Sequence, residues 1–386
     1  MKQKDTKKVV ILGSTGSIGI STLKVIARYS ENFQIVGLTA YNNIDILLRQ
    51  VKNFQPRYVA VPPAGQAKLK AGLNGSLVKI LDVHRDLPEL VSRREVDIVV
   101  IGMRGSEALI PFLSAVRAGK TVAPANKEAL VVAGDLLMKE AQKHGAKIIP
   151  VDSEQSAIFQ CLEGRPHKEI KRIYLTASGG ALRKVPRRKF AELTVKEVLN
   201  HPRWRMGKKI TVDSALLMNK GFEVIEAKRL FQLDVNQIEV VLHPEAIIHS
   251  MVGFKDGTVL AQLGVTDMRL PIQYALTYPQ RLPTGLKDLN FFELKSLTFE
   301  RPDVKKFPAL SLCLEVAKAD GTLPSVLNAA DEVAVEAFLD QQISFSRIYP
   351  LVEKVVHRHK NCRYPQLSDI LNADQWAREE TKRFLN

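Results

Sequence analysis

Cysteine is scarce in this chain: three occur in 386 residues, Cys161, Cys313 and Cys362, odd in number and far apart. No two form a CxxC pair. Neither a disulfide framework nor a cysteine-based metal or redox motif is expected, and the thiols read as small buried or incidental groups in a reducing compartment. Long apolar runs are missing too, which excludes a helical membrane span. Met1–Lys8 is polar, and the apolar Val9–Leu12 that follows is too short for a signal-peptide core. A soluble, cytoplasmic chain without a targeting extension is therefore expected. Aromatic residues make up only 6%, and the net charge of +15 is scattered along the chain instead of gathered in a basic block. With little stacking surface and no nucleic-acid-binding signature, the charge reads as a field that attracts anionic small molecules. There is no low-complexity tract and no internal repeat.

What is present is alternation. At this length two or three domains are expected. Strand-like runs at Val9–Leu12, Phe33–Thr39, Arg57–Val61, Val78–Leu81, Asp97–Gly102 and Ile148–Val151 alternate with helical spacing. The long helix Lys127–His144, closed by Gly145, is the clearest case. Repeated βα units predict an α/β fold with a Rossmann-like doubly wound parallel sheet over residues 1–150. Residues 151–285 read as a central α+β domain. It has strands at Ile173–Thr176, Glu239–Leu242, Ile247–Phe254 and Val259–Leu263, a T-x-x-E capping box at Thr194–Glu197, and a helix over Ser214–Phe231. Residues 286–308 are irregular and Pro-bearing, a linker. Four helical patterns in 309–386 predict a C-terminal helical bundle.

The first strand runs into Gly13-Ser14-Thr15-Gly16-Ser17-Ile18-Gly19 and then an amphipathic helix. Strand, glycine turn, helix is the context of a dinucleotide site, although the spacing is GxxGxxG and not GxGxxG. Gly13 permits the tight turn, Gly16 lets the backbone approach a pyrophosphate, and Gly19 allows close helix–strand packing. Ser14, Thr15 and Ser17 offer hydroxyl donors. The second strand ends in Ala40-Tyr41-Asn42-Asn43, without the acidic residue that takes the ribose 2′-hydroxyl of NAD. NADP is favoured, although no Lys or Arg stands there.

A second constellation is acidic. The strand at Ile148–Val151 ends in Asp152, Ser153 and Glu154, with a helix expected to begin near Ser156. On extended backbone Asp152 and Glu154 share a face, and adjacent carboxylates invite a cation, unless they merely favour a helix N-terminus. Asn219 and Glu223 stand one turn apart, with Lys220 adjacent. Taken alone, Glu223 reads as a solvated helix residue paired with Lys220. Taken with Asp152 and Glu154 it completes an all-oxygen set suited to Mg²⁺ or Mn²⁺. Ser178, Ser214, Asn219 and Lys220 are donors of the kind a phosphate ester needs. His201–Gly207 holds Trp204 in a Pro- and Gly-bracketed loop, either packed on the core or a lid. His243 and His249 read as hydrogen-bonded sheet histidines.

GSTGSIG, ANKE (125–128), PVDSE (150–154), SGG (178–180), HPxWxMG (201–207) and VDSAxxMNKGFEVIEA (212–227) occur in this order. NAADEVAVEAFL (328–339) extends the pattern to nearly the whole chain. Together they resemble the 1-deoxy-D-xylulose 5-phosphate reductoisomerase family. The resemblance implies an NADPH-dependent homodimer that rearranges its substrate to an aldehyde and reduces it to 2-C-methyl-D-erythritol 4-phosphate. It further implies that Thr15, Gly16, Ser17 and Ile18 contact NADPH, with Tyr41, Asn42 and Asn43 about the 2′-phosphate. Asn126 and Glu128 fall near the nicotinamide, and Gly207 touches the cofactor. Asp152, Glu154 and Glu223 match the metal ligands and, with Lys127, the catalytic set. Lys127, Ser153, Glu154 and Glu223 match substrate contacts, and Ser178, His201, Ser214, Asn219 and Lys220 match the phosphate set. Trp204 and Met206 match a flexible lid. Two positions depart from the pattern. Tyr41-Asn42-Asn43 stands where Gly-Lys-Asn is usual, and Arg205 replaces a small polar lid residue. The rival enzyme class, a semialdehyde dehydrogenase, needs a catalytic thiol, and Cys161 sits in an ordinary helical context.

Overall fold

The computed structural model describes residues 6–73, 77–204 and 206–385. Along the chain run β1 (Lys7–Leu12), α1 (Ser17–Arg28), β2 (Phe33–Thr39), α2 (Ile44–Phe54), β3 (Tyr58–Val61), α3 (Pro63–Leu73), β4 (Lys79–Asp82) and α4 (Leu87–Ser92). Then come β5 (Ile98–Ile101), α5 (Leu109–Arg117), β6 (Thr121–Pro124), α6 (Lys127–His144), β7 (Lys147–Ile148), α7 (Ser153–Leu162), β8 (Ile170–Ala177) and α8 (Val195–Val198). They are followed by α9 (Lys208–Leu216), α10 (Met218–Phe231), β9 (Ile238–Leu242), β10 (Ile248–Phe254), β11 (Val259–Leu263) and α11 (Arg269–Thr277). The chain ends in α12 (Pro308–Ala319), α13 (Leu323–Leu339), α14 (Phe345–Arg358) and α15 (Leu367–Leu385). Among the described residues no helix is long and apolar enough to cross a membrane.

These elements gather into two compact units that interleave in sequence. The first comprises Met1–Ala129, Leu137–Ser156 and Asp267–Leu286; the second comprises Leu130–Leu136, Ala157–Thr266 and Lys287–Asn386.

The first unit is built on a seven-stranded sheet of order β4-β3-β2-β1-β5-β6-β7. Every pairing in it is parallel. A parallel sheet is covered on both faces, so its central strands must be apolar throughout. Val9, Val10, Ile11 and Leu12 of β1 are accordingly all buried. Each such side chain contributes about 1.5–3 kcal/mol on burial. The strand order reverses between β1 and β5, which is where an open α/β sheet offers a crevice at its carboxyl ends. Helix α11 packs on α1 and β6, so a segment from beyond residue 266 completes this unit. Helix α6 has both expected ends: the Asn126 side chain caps it by accepting from Ala129 N–H at 2.9 Å, and Gly145 closes it at φ 65°. Strand β7 forms ladder pairs only at Lys147 and Ile148, shorter than the expected Ile148–Val151. Ile149 and Val151 still donate to Val122 and Pro124 carbonyls, but Pro124 of β6 has no N–H to return to Ile149 O, so the ladder stops there.

The second unit holds a four-stranded sheet of order β11-β10-β8-β9. Strands β10–β11 and β10–β8 are antiparallel and β8–β9 parallel. The hairpin expected at Lys255–Thr258 joins β10 to β11, with Gly257 at φ 92°. Helices α12 to α15 form the expected C-terminal bundle about α13, whose Asn328, Ala329, Ala330 and Asp331 are all fully buried. The helix expected over Ser214–Phe231 is instead two helices, α9 and α10. Leu217 between them takes the left-handed conformation, φ 58° and ψ 13°. For a branched side chain this is strained backbone, the sort retained where a local geometry is needed.

Candidate active site

In the first unit the glycine turn sits between β1 and α1, at the sheet's switch point. Gly13 has φ 82°, and a Cβ there would lie 2.9 Å from the backbone of Gly102, which follows β5. A Cβ on Gly19 would lie 2.3 Å from Ser14 Cα, so only glycine lets α1 approach the turn this closely. Gly16 differs. It has ordinary φ of −80°, and its absent Cβ would meet only Gly13 O, at 3.5 Å. It is exposed and is the N-cap of α1 without side-chain capping, so the helix presents its first-turn N–H groups outward. Open backbone at Gly16 and a dipole end behind it suit a pyrophosphate. Thr15 and Ile18 are half-buried and Ser17 is exposed beside it. Ser14 is a correction to the sequence reading: it is fully buried, and its hydroxyl bonds Gln50 Oε1 at 2.7 Å. Gln50 returns a bond to Ser14 O, and Thr39 Oγ1 accepts from Gly13 N–H, so these side chains lock the turn.

At the end of β2, Tyr41, Asn42 and Asn43 are exposed, and Asn43 is the N-cap of α2. The Tyr41 hydroxyl donates to Glu107 Oε2 at 2.7 Å and lies 3.2 Å from His84 Nδ1. Partial burial, then the Glu107 carboxylate, raises the phenol's pKa above its ordinary value, so the hydroxyl stays a donor. Asn126 is committed: besides capping α6, its Nδ2 donates to Met103 O and Gly105 O at 2.8 and 3.1 Å. It thereby shapes the loop after β5. Glu128 is half-buried in the first turn of α6.

Lys127 opens α6 and pairs with Asp152, both nearly buried. Burial pushes the Asp152 carboxyl up, the Lys127 ammonium opposes it, and Glu154 adds to the rise. Helix α7 begins at Ser153, not near Ser156, because Asp152 O accepts from Ser156 N–H and acidic residues suit a first turn. Asp152 and Glu154 therefore stand at a helix start and not on extended backbone. Ser153 Oγ donates to Glu154.

In the second unit the break at Leu217 creates what one continuous helix would lack: a fresh N-terminus. Helix α10 starts there without side-chain capping, carrying Asn219 and Lys220 in its first turn. Glu223, only 1% exposed, accepts from Asn219 Nδ2 at 2.6 Å and from Lys220 Nζ. The solvated reading of Glu223 is thus overturned, while its pairing with Lys220 stands. The Ser178-Gly179-Gly180 turn packs on the end of α9: a Cβ on Gly180 would lie 2.5 Å from Ser214 O. His201 Nδ1 accepts the N–H groups of Arg203 and Trp204, at 3.2 and 2.9 Å, and Nε2 lies 3.1 Å from Ser178 Oγ. Burial lowers the imidazole's pKa, so the ring is neutral and donates from Nε2. Trp204 is half-buried, its ring centroid 6.2 Å from that of His249, and Met206 and Gly207 are half-buried. Arg205 lies outside the described residues. His243 is a hydrogen-bonded sheet residue as expected: Nδ1 meets Thr298 O at 2.9 Å, and Nε2 accepts from Ile247 and Ile248 N–H at 3.2 Å. Cys161 and Cys313 are buried, Cys362 exposed.

One cluster escaped the sequence reading. Lys209 Nζ lies 2.7 Å from Asp213 Oδ2 and 2.6 Å from Asp331 Oδ2, over the Phe222 ring. The Lys209–Asp213 spacing was visible, but Asp331 is far off in sequence on α13. The cluster anchors α9, the helix that carries Ser214. Removing one partner of a buried ion pair costs about 3–5 kcal/mol. Lys209→Met should therefore lower Tm by roughly 10 °C, read by calorimetry. An unchanged Tm would show that the cluster anchors nothing.

A doubly wound parallel sheet with a glycine turn at its switch point, joined in one chain to buried carboxylates and a donor-lined helix start, defines a dinucleotide-binding α/β enzyme. Family models agree in detail. The model for 1-deoxy-D-xylulose 5-phosphate reductoisomerase matches residues 9–134, and two for its C-terminal domains match 148–231 and 263–380. The protein of that name from Thermoanaerobacter pseudethanolicus is 50% identical over 376 residues, 97% of this chain and 98% of that one. Its namesake from a Synechococcus species is 48% identical, over 97% of this chain and 96% of the other. A solved reductoisomerase with NADPH, fosmidomycin and magnesium superposes with TM-score 0.94 at 39% identity, covering 98% of each chain. The Zymomonas mobilis enzyme with NADPH gives 0.92 at 39% identity, over 99% of this chain and 100% of that one. The chain belongs to the 1-deoxy-D-xylulose 5-phosphate reductoisomerase family.

Proposed function

We infer that the protein converts 1-deoxy-D-xylulose 5-phosphate to 2-C-methyl-D-erythritol 4-phosphate, using NADPH and a divalent cation, in isoprenoid precursor synthesis. The observation that carries the site reading is the first turn of α10. There an uncapped helix start, an amide and an ammonium are set one turn from a buried carboxylate. Ser178, His201, Ser214, Asn219 and Lys220 bind the substrate phosphate. Asp152, Glu154 and Glu223 hold Mg²⁺ or Mn²⁺; their hard oxygen donors fit such an ion. Thr15, Gly16, Ser17 and Ile18 receive the pyrophosphate, and the space left beside Gly16 fits it. Asn126, Glu128 and Gly207 serve the cofactor as well. When bound, the cation polarises the substrate carbonyl and NADPH supplies the hydride.

The chain's own groups do the rest. Ser178, accepting from His201, keeps its O–H free to donate to phosphate, and that remote anchor orients the sugar for carbon–carbon rearrangement. Ser153 and Lys127 hold the reacting end of the substrate, and the Lys127 ammonium passes a proton to an oxygen there. Trp204 and Met206 close over the substrate and exclude water. Residues 1–150 serve the cofactor, 151–285 the chemistry, 286–308 the connection and 309–386 the supporting bundle. The protein acts as a cytoplasmic homodimer on a small phosphorylated sugar, not on nucleic acid or membrane.

The test is NADPH oxidation with deoxyxylulose phosphate, with and without Mg²⁺ or Mn²⁺. Turnover should require both sugar phosphate and metal, and a chelator should abolish it reversibly. Turnover in metal-stripped enzyme would overturn the metal assignment; metal-supported turnover that does not need the sugar phosphate would overturn the substrate.

A further inference from the structure

The end of β2, where the ribose 2′ position of a dinucleotide is read, has no Lys or Arg at Tyr41, Asn42 or Asn43. The structure brings two other groups to it. His84, from the segment after β4, and Glu107, from the segment after β5, both meet the Tyr41 hydroxyl. The Tyr41 and His84 rings also meet edge to face, centroids 5.3 Å apart. All three residues are exposed. The polarity of the chain is set: the Tyr41 hydroxyl donates to the Glu107 carboxylate, so it accepts from His84 Nδ1–H. Arg85, the next residue, is engaged by Asp86 at 2.8 Å, whereas His84 is a basic group in direct contact with Tyr41.

We propose that Tyr41, His84 and Glu107 form the reader of the cofactor's ribose 2′ position, with His84 as the donor to a 2′-phosphate and Glu107 as its opponent. The inference rests on the reading of the glycine turn as the NADPH site. The His84 Nδ1–H, turned from the Tyr41 hydroxyl to the phosphate, supplies a donor in place of the Lys or Arg that the loop after β2 lacks. A 2′-phosphate also draws the Tyr41 hydroxyl away from Glu107. The Glu107 carboxylate repels the dianion but accepts a hydroxyl, so it favours NADH and holds the preference for NADPH below what His84 alone would give.

The two dinucleotides distinguish the outcomes. NADPH and NADH are titrated by fluorescence into the full chain, the His84→Phe variant and the Glu107→Gln variant. Phe keeps an aromatic edge against Tyr41 and removes the donor. His84→Phe should weaken NADPH roughly tenfold, the loss of a charge-assisted hydrogen bond, and leave NADH unchanged. Glu107→Gln should tighten NADPH about threefold, a modest relief of like-charge repulsion, and should not tighten NADH. If His84→Phe weakens both dinucleotides equally, or neither, the inference is wrong. If Glu107→Gln leaves NADPH unchanged, the opposing role is wrong. Failure of the unaltered chain to bind either dinucleotide would instead overturn the cofactor-site reading beneath it.

Discussion

Glu223→Gln is expected to lower kcat by on the order of a thousandfold, equivalent to about 4 kcal/mol of transition-state stabilisation, while NADPH affinity stays within about twofold. Gln keeps the shape of the side chain and can still accept from Asn219, which lies 2.6 Å from Oε1. What it removes is the negative charge that faces the buried Lys220 and that a divalent cation requires. Two measurements separate these consequences. Loss of the cation ligand appears in kcat and is not repaired by more substrate. Misplacement of Lys220 appears as a raised KM for the phosphorylated sugar. Activity near that of the unaltered enzyme would remove Glu223 from the metal set. A large rise in KM alone would restrict it to orienting Lys220.

The second large effect concerns the turn that opens the first unit. Gly19→Ala would set a methyl 2.3 Å from Ser14 Cα and 2.4 Å from Ser14 O. These are backbone atoms, and the turn that carries them is tied down by Thr39 and Gln50. Neither side yields easily, so α1 must shift from β1, at the upper end of the overpacking cost of about 1–3 kcal/mol. NADPH affinity should fall by about a hundredfold, since the helix start proposed to receive the pyrophosphate moves with α1. Gly16→Ala is the matched control: its φ of −80° is ordinary and its Cβ would meet only Gly13 O at 3.5 Å. It should fold with unchanged Tm and lose NADPH affinity only through crowding at the ligand. Unaltered NADPH binding by Gly19→Ala would mean that the turn is not the pyrophosphate site.

Much of this architecture is written in local pattern. The α/β alternation, the ends of α6, the capping box at Thr194–Glu197 and the helices of the C-terminal bundle follow from apolar period, caps and turn residues. Those signals act within a few residues, so sequence reads them directly. The ordered motifs likewise carry the family, and with it the metal, phosphate and cofactor residues as candidates. What sequence could not reach depends on partners far along the chain. Leu217 has nothing in its neighbours to announce a left-handed turn, and a run of good helix formers reads straight through it. Tertiary packing imposes the break, and the break makes the helix start on which Asn219 and Lys220 stand. Ser14 reads in sequence as a ligand donor, but Gln50, on α2, claims its hydroxyl. Asp331 joins Lys209, and His84 and Glu107 meet at Tyr41, only because the fold closes long loops between them. The sequence by itself determined the element order, the glycine turn and the list of chemically able residues, because periodicity and capping are short-range. The tertiary structure alone decided which of those residues are buried, paired or left facing a ligand, because burial and charge pairing are set by neighbours distant in the chain.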